Sequence, residues 1–139
     1  MERQERREQI LNILAAGIRK VLLNTVPKPE ESKEIRMRLG QPLRVVRGKE
    51  EIVLRSGTEP YIVTKEELRE TMDYISHYSL YAYENELRQG FVTVEGGHRV
   101  GVAGKVIMEK ERVKNIQYIS SLNIRVSHEV LGCADRLIP

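Results

Sequence analysis

Ile10, Leu14, Ile18 and Leu22 recur every four positions, with Leu11 and Val21 beside them. That period lays an apolar stripe along one helical face and predicts an amphipathic helix over residues 2–24, broken near Gly17. Pro27-Lys28-Pro29 ends it and makes a short linker. From residue 35 the period becomes two. Ile35, Met37 and Leu39 alternate with Arg36 and Arg38, which predicts a strand with its aliphatics inward and its arginines on the open face. Gly40-Gln41-Pro42 turns the chain, residues 43–47 and 51–55 read as a hairpin about Gly48-Lys49, and residues 61–63 as a further brief strand.

Thr64-Lys65-Glu66-Glu67 is a capping box, and Leu68, Met72 and Ile75 follow it at helical spacing. A second helix is expected from about Ser79, burying Leu80, Tyr83 and Leu87 and capped by Gly90. Residues 91–94 and 99–108 form the two strands of a hairpin whose turn is Glu95-Gly96-Gly97-His98, with the glycines at the centre of a two-residue loop. Gly101 and Gly104 lie inside its second strand, where glycine implies a bulge or a close backbone neighbour. Beyond the charged turn Glu109-Lys110-Glu111-Arg112, residues 113–118 and 122–126 read as two more strands. The latter carries Asn123 and Arg125 opposite Leu122, Ile124 and Val126. A short segment over 128–135 follows. The expectation is an α+β chain: a helical segment over 1–26, then a domain over 30–139 with helices on one side of a mostly antiparallel sheet.

Composition narrows the function more than the fold. A chain of 139 residues with 40% hydrophobic and 31% charged residues is long enough for one real core, and its net charge of +3 is too mild for a dedicated phosphate-backbone binder. Arg19 and Lys20 interrupt the apolar run 10–23, and Glu2, Glu5 and Glu8 precede it, which argues against a signal peptide or a membrane span and for a cytoplasmic location. The lone Cys133 reads as a small buried hydrophobe. His77, His98 and His128 are too scattered for zinc, so no metal is expected. Gly104-Lys105 imitates the end of a phosphate-binding loop, but Arg99 stands where that loop needs glycine and Val106 where it needs a hydroxyl. Glu66, Glu67, Glu84 and Glu86 fall on predicted helices as caps or solvated positions, so no catalytic residue is assigned. Tyr74, Tyr78, Tyr81 and Tyr83 read as core packing beside Glu84 and Glu86 and not as a base-stacking platform.

Tyr78-Ser79-Leu80-Tyr81-Ala82-Tyr83, Gly90, Gly96-Gly97-His98-Arg99-Val100-Gly101, Ser120-Ser121-Leu122-Asn123-Ile124-Arg125 and Gly132-Cys133-Ala134-Asp135 occur in this order. Together, from about Glu34 to the end, they resemble the amino-terminal part of the stage III sporulation protein AA family. The resemblance implies a PAS-like domain, as in the type II and type IV secretion ATPases, followed by a RecA-like motor domain. The chain stops at Pro139, ahead of the region where that family carries its Walker A loop. What is implied is therefore a non-catalytic regulatory and assembly half without a cofactor, ATP and Mg belonging to the parent protein. Implied partners are the motor domain, neighbouring subunits of a homohexamer, and membrane proteins of a channel between mother cell and forespore. That places the assembly at the inner face of the mother cell membrane, with no nucleic-acid partner. Arg99 and Arg125, followed by Arg88 and His98, are the residues implied to face the nucleotide, where a guanidinium fork neutralises phosphoryl charge. The competing reading of both arginines is a surface residue paired with nearby acids. A second reading, a single-stranded nucleic-acid-binding module, would use Arg36, Arg38, Arg44 and Arg47 with the tyrosines.

Overall fold

The structure is a computed structural model that describes residues 2–77, 79–109 and 112–128, with side chains at 3–77, 79, 82–105 and 118–128. Its amino-terminal stripe forms two helices, α1 (Glu2–Asn12) and α2 (Ala16–Thr25), where one was expected. The break falls at residues 13–15 and not at Gly17. The reason lies in another helix, α3 (Lys65–Ile75). The Ala15 amide donates to Thr71 Oγ1 at 3.0 Å and the Ala16 amide to Glu70 Oε2 at 2.8 Å, so α3 satisfies amides that α2 leaves open at its start. Gly17 serves packing instead, because a Cβ there would lie 2.8 Å from the Tyr61 hydroxyl and the Glu67 carboxylate.

Two antiparallel meanders make the main sheet. The first is β1 (Glu34–Arg38), β2 (Arg44–Arg47) and β3 (Glu50–Val53), joined as the alternation predicts. Next come a two-stranded ribbon, β4 (Arg55–Ser56) with β5 (Glu59–Pro60), then α3, a 3-10 turn over Leu80–Tyr83 and the short α4 (Glu84–Gln89). The second meander is β6 (Phe91–Thr93), β7 (Arg99–Glu109) and β8 (Arg112–Arg125). β1 and β8 pair antiparallel in the middle, giving the order β3-β2-β1-β8-β7-β6.

Alternation decides which face is covered. Ile35, Met37, Val45, Val92, Val100, Leu122 and Ile124 are buried in one cluster with Ile10, Leu14, Ile18 and Leu22 of the amino-terminal helices and Leu68, Met72 and Ile75 of α3. The helices therefore lie on one side of the sheet, as expected. The capping box forms too: Thr64 Oγ1 accepts from the Glu67 amide, and the Glu67 carboxylate accepts from the Thr64 amide at 2.9 Å.

Several expectations need correction. Residues 61–63 make only an isolated bridge, Pro42 to Ile62. Leu39 lies beyond β1 and is 41% exposed, so it is not inward like Ile35 and Met37. The helix expected from Ser79 is the 3-10 turn followed by α4, with Leu87 buried and Gly90 capping at φ +89°. The central hairpin has a three-residue loop: the Val94 amide donates to the His98 carbonyl, closing the loop over residues 95–97. The strands expected over 113–118 and 122–126 are one strand, because Ser121 stays in register with Ala103. Gly104 has the close neighbour foreseen for it, the Tyr118 and Ile119 backbone, whereas a Cβ on Gly101 would meet only ordinary contact at 3.9 Å. Tyr78, Cys133 and the segment from residue 129 onward lie outside the described residues.

Candidate anion-binding face of the sheet

The face that no described helix covers is built by the polar half of the alternation. Because Ile35, Val45, Val100 and Ile124 point into the core, Glu34, Arg36, Arg44, Arg99, Arg125 and Asn123 occupy the opposite face. Four strands carry an ionic ladder across it. Arg44 Nε lies 3.1 Å from Glu51 Oε1, Glu51 Oε2 lies 3.0 Å from Arg36 Nη1, Arg36 Nε lies 2.9 Å from Glu34 Oε2, and Glu34 Oε1 lies 3.4 Å from Arg125 Nε. Sign alternates at every step until β8. There the acids end.

Arg125 is directly opposite Arg99 in the β7–β8 register. Two cations at one cross-strand position oppose pairing, so this placement costs stability unless an anion lies between them. The Arg125 side chain is 69% exposed and shares Glu34 with Arg36, while no carboxylate among the described residues lies within ion-pair distance of Arg99. The Arg99 guanidinium instead stands over the Phe91 ring, 5.6 Å from its centroid. Beside them, in the next row, Asn123 Oδ1 is buried without a hydrogen-bond partner among the described residues, between Gly101 and Arg36 in register. The face thus carries alternating charge from Arg44 to Arg125, with Arg38 on β1 and Arg99 on β7 outside the ion pairs among the described residues. That is the electrostatic form of a site for a phosphate or carboxylate.

The four residues named from sequence do not form one group. Arg99 and Arg125 are cross-strand neighbours. Arg88 lies on α4, pairing with Glu84 at 2.9 Å one turn earlier. His98 is 1% exposed, on the covered side. The Ser127 amide donates to its Nδ1 at 2.9 Å, so Nε2 carries the proton and donates to Gln9 Oε1 at 2.8 Å. Burial, with the positive charge of Arg6 and the neighbouring His128, lowers the His98 pKa below its ordinary value. His98 therefore ties α1 to the end of β8. Arg47 likewise leaves the set formed by Arg36, Arg38 and Arg44: alternation turns it to the helix side, 3.6 Å from Glu31.

Sequence reading missed Glu34, Glu51 and Phe91 as parts of this face. The signal for Glu34 was present in its two-residue spacing from Arg36, but its partners come from other strands. Among the described residues no cluster of His, Cys, Asp and Glu could hold a metal ion, and no helix is long and apolar enough to cross a membrane.

The profile of the family described as sporulation stage III, protein AA matches residues 4–139. Stage III sporulation protein AA of Bacillus subtilis (strain 168) is 35% identical over 133 residues, which cover 94% of this chain and 41% of that relative. The chain thus spans less than half the length of the relative. No solved structure matches.

Proposed function

The chain belongs to the stage III sporulation protein AA family, and on that premise we propose that it is the non-catalytic regulatory and assembly lobe of a sporulation ATPase of the secretion type. In this reading the lobe has the PAS-like fold of such amino-terminal domains and covers a motor domain elsewhere in the parent protein. The assembled hexamer then powers a channel between mother cell and forespore from the inner face of the mother cell membrane, with the channel's membrane proteins as partners. ATP and Mg belong to the motor domain. Arg99 and Arg125 approach the bound phosphates.

One observation carries the reading: two arginines held opposite each other on a face that no described helix covers, where the ladder of acids has run out. Arginine placed against a transferring phosphoryl group is worth orders of magnitude in rate, which gives a reason to keep an arrangement that opposes strand pairing. The test is ATP hydrolysis by the parent protein carrying Arg99→Ala or Arg125→Ala. A folded, assembled variant should lose about a hundredfold in kcat, a cautious share of what such arginines supply. Normal turnover in both variants overturns the assignment, as would tight ATP binding to residues 1–139 alone in a calorimetric titration.

A second reading has one observation in its favour. Phe91 and Arg99 stand together on an open sheet, the arrangement by which single-strand readers stack bases among cations. Submicromolar binding of a labelled single-stranded oligonucleotide, falling steeply between two salt concentrations, would favour it over the ATPase role.

A further inference from the structure

A cleft of about 370 Å³ lies where the carboxyl-terminal ends of α1 and α3 meet the 3-10 turn and the end of β6. It is large enough for a molecule of metabolite size, and four separate segments of the chain close around it. Its polar lining is unspent. Asn12, His77, Tyr83 and Glu95 all line the cleft, and among the described residues their side chains enter no hydrogen bond or ion pair. Convergent polar groups left without partners in the protein are what orients a ligand in such a space.

The chemistry of the lining is one-sided. Glu95 brings a carboxylate, and neither lysine nor arginine is among the described residues that line the cleft. Two more carboxylates stand behind it: Glu70 Oε2 accepts from the Tyr74 hydroxyl at 2.9 Å, and Glu86 Oε2 accepts from the Thr93 amide at 2.7 Å. A low-dielectric cleft edged by one sign of charge favours the opposite sign inside it. Tyr74 and Tyr83 add aromatic rings, whose faces attract cations, while Ile13, Ile75 and Val94 supply an apolar wall. His77 is held at φ +51°, in the left-handed region that an L side chain seldom adopts, with its amide donating to the Tyr74 carbonyl at 3.3 Å. Backbone strain of that kind concentrates at ligand sites.

We propose that this cleft binds a small amphipathic amine, its ammonium group donating to Glu95 and lying against the tyrosine rings, its apolar body against Ile13, Ile75 and Val94. The site shares no residue with the Arg99–Arg125 pair, so it stands or falls apart from the ATPase role.

Titration of the 139-residue chain with phenethylamine, and separately with phenylacetate as a carboxylate of similar size, tests this by backbone amide NMR. Phenethylamine should bind saturably with a Kd below about 5 mM, within reach of so small a ligand, and shift the amides of Asn12, Thr93 and Glu95. Phenylacetate should bind at least about tenfold more weakly, because its charge faces Glu95. Glu95→Gln should weaken phenethylamine about tenfold through loss of one charge-assisted hydrogen bond. Tyr83→Leu should weaken it about threefold through loss of a ring face. Glu95 is exposed in a loop, and the amide spectrum itself shows that each variant is folded. A weaker Kd for phenethylamine, phenylacetate binding as tightly, shifts centred outside the cleft, or a folded Glu95→Gln chain that binds normally would each overturn the proposal.

Discussion

Lowering the pH should loosen the attachment of α1 to the end of β8 through His98. In the folded chain Nδ1 accepts the Ser127 amide, and Nε2 donates to Gln9 Oε1. A second proton would have to sit on Nδ1, facing an N–H, in a site 1% exposed and already near the positive charge of Arg6. The folded-state pKa is therefore below the unfolded value of about 6.5. The sign follows from proton binding: below about pH 6.5 the unfolded chain takes up a proton that the folded chain refuses. Stability contributed by neutral His98 is full above that pH and is lost as pH falls toward the folded-state pKa. Between pH 7.5 and 5.5 the loss is at most about 1.4 kcal/mol, one pH unit of linkage for one proton. Carboxylates contribute their own pH dependence, so the informative quantity is the difference in slope between wild type and His98→Gln. Urea unfolding at pH 7.5, 6.5 and 5.5 measures it. The variant should be about 1–3 kcal/mol less stable at pH 7.5, from lost hydrogen bonds and imperfect packing. It should also lack the extra decline below pH 6.5. Parallel pH profiles for the two proteins would refute the reasoning.

Gly104→Val should destabilise the chain by about 1–3 kcal/mol in urea unfolding, because a Cβ there would meet the Tyr118 carbonyl and stand 2.9 Å from Ile119 Cα, both backbone atoms with little freedom to move. Thr64→Ala removes the oxygen that accepts the Glu67 amide at the start of α3, at an expected cost of about 1 kcal/mol measurable as a lower urea midpoint. Leu122→Ala leaves a cavity where β8 faces the helices and should cost about 2–5 kcal/mol by the same measurement, against less than about 1 kcal/mol for Arg125→Ala on the opposite face of that strand.

The local periods carried much of the fold. The alternation through Ile35, Met37, Leu122 and Ile124 identified which residues enter the core, and the four-residue spacing of Ile10, Leu14, Ile18 and Leu22 identified the helical stripe. The misreadings came where a distant segment overrides a local pattern. The α1–α2 break follows from Thr71 and Glu70, more than fifty residues along the chain, and no neighbouring sequence announces it. Residues 119–121 read as a gap between two strands because no local rule reveals that β7 continues beside them. The same limit governs the site. Arg99 and Arg125 could be singled out, but their cross-strand opposition and the exhaustion of acids at Glu34 depend on the pairing of β1, β8 and β7, which composition does not encode. His98 was grouped with them by its place next to Arg99; one residue along a strand is the other face of the sheet.

The pairing of β1 with β8 has a consequence for how the chain is made. The first strand of the sheet waits, with one edge unpaired, until nearly the whole described sequence has left the ribosome, and only then does its central neighbour arrive. Contacts of such long sequence separation favour slow folding, and no early fragment ending before β8 contains the middle of the sheet. A nascent chain stalled short of Leu122 should therefore remain protease-sensitive along its entire length, however much of its helical portion has already emerged.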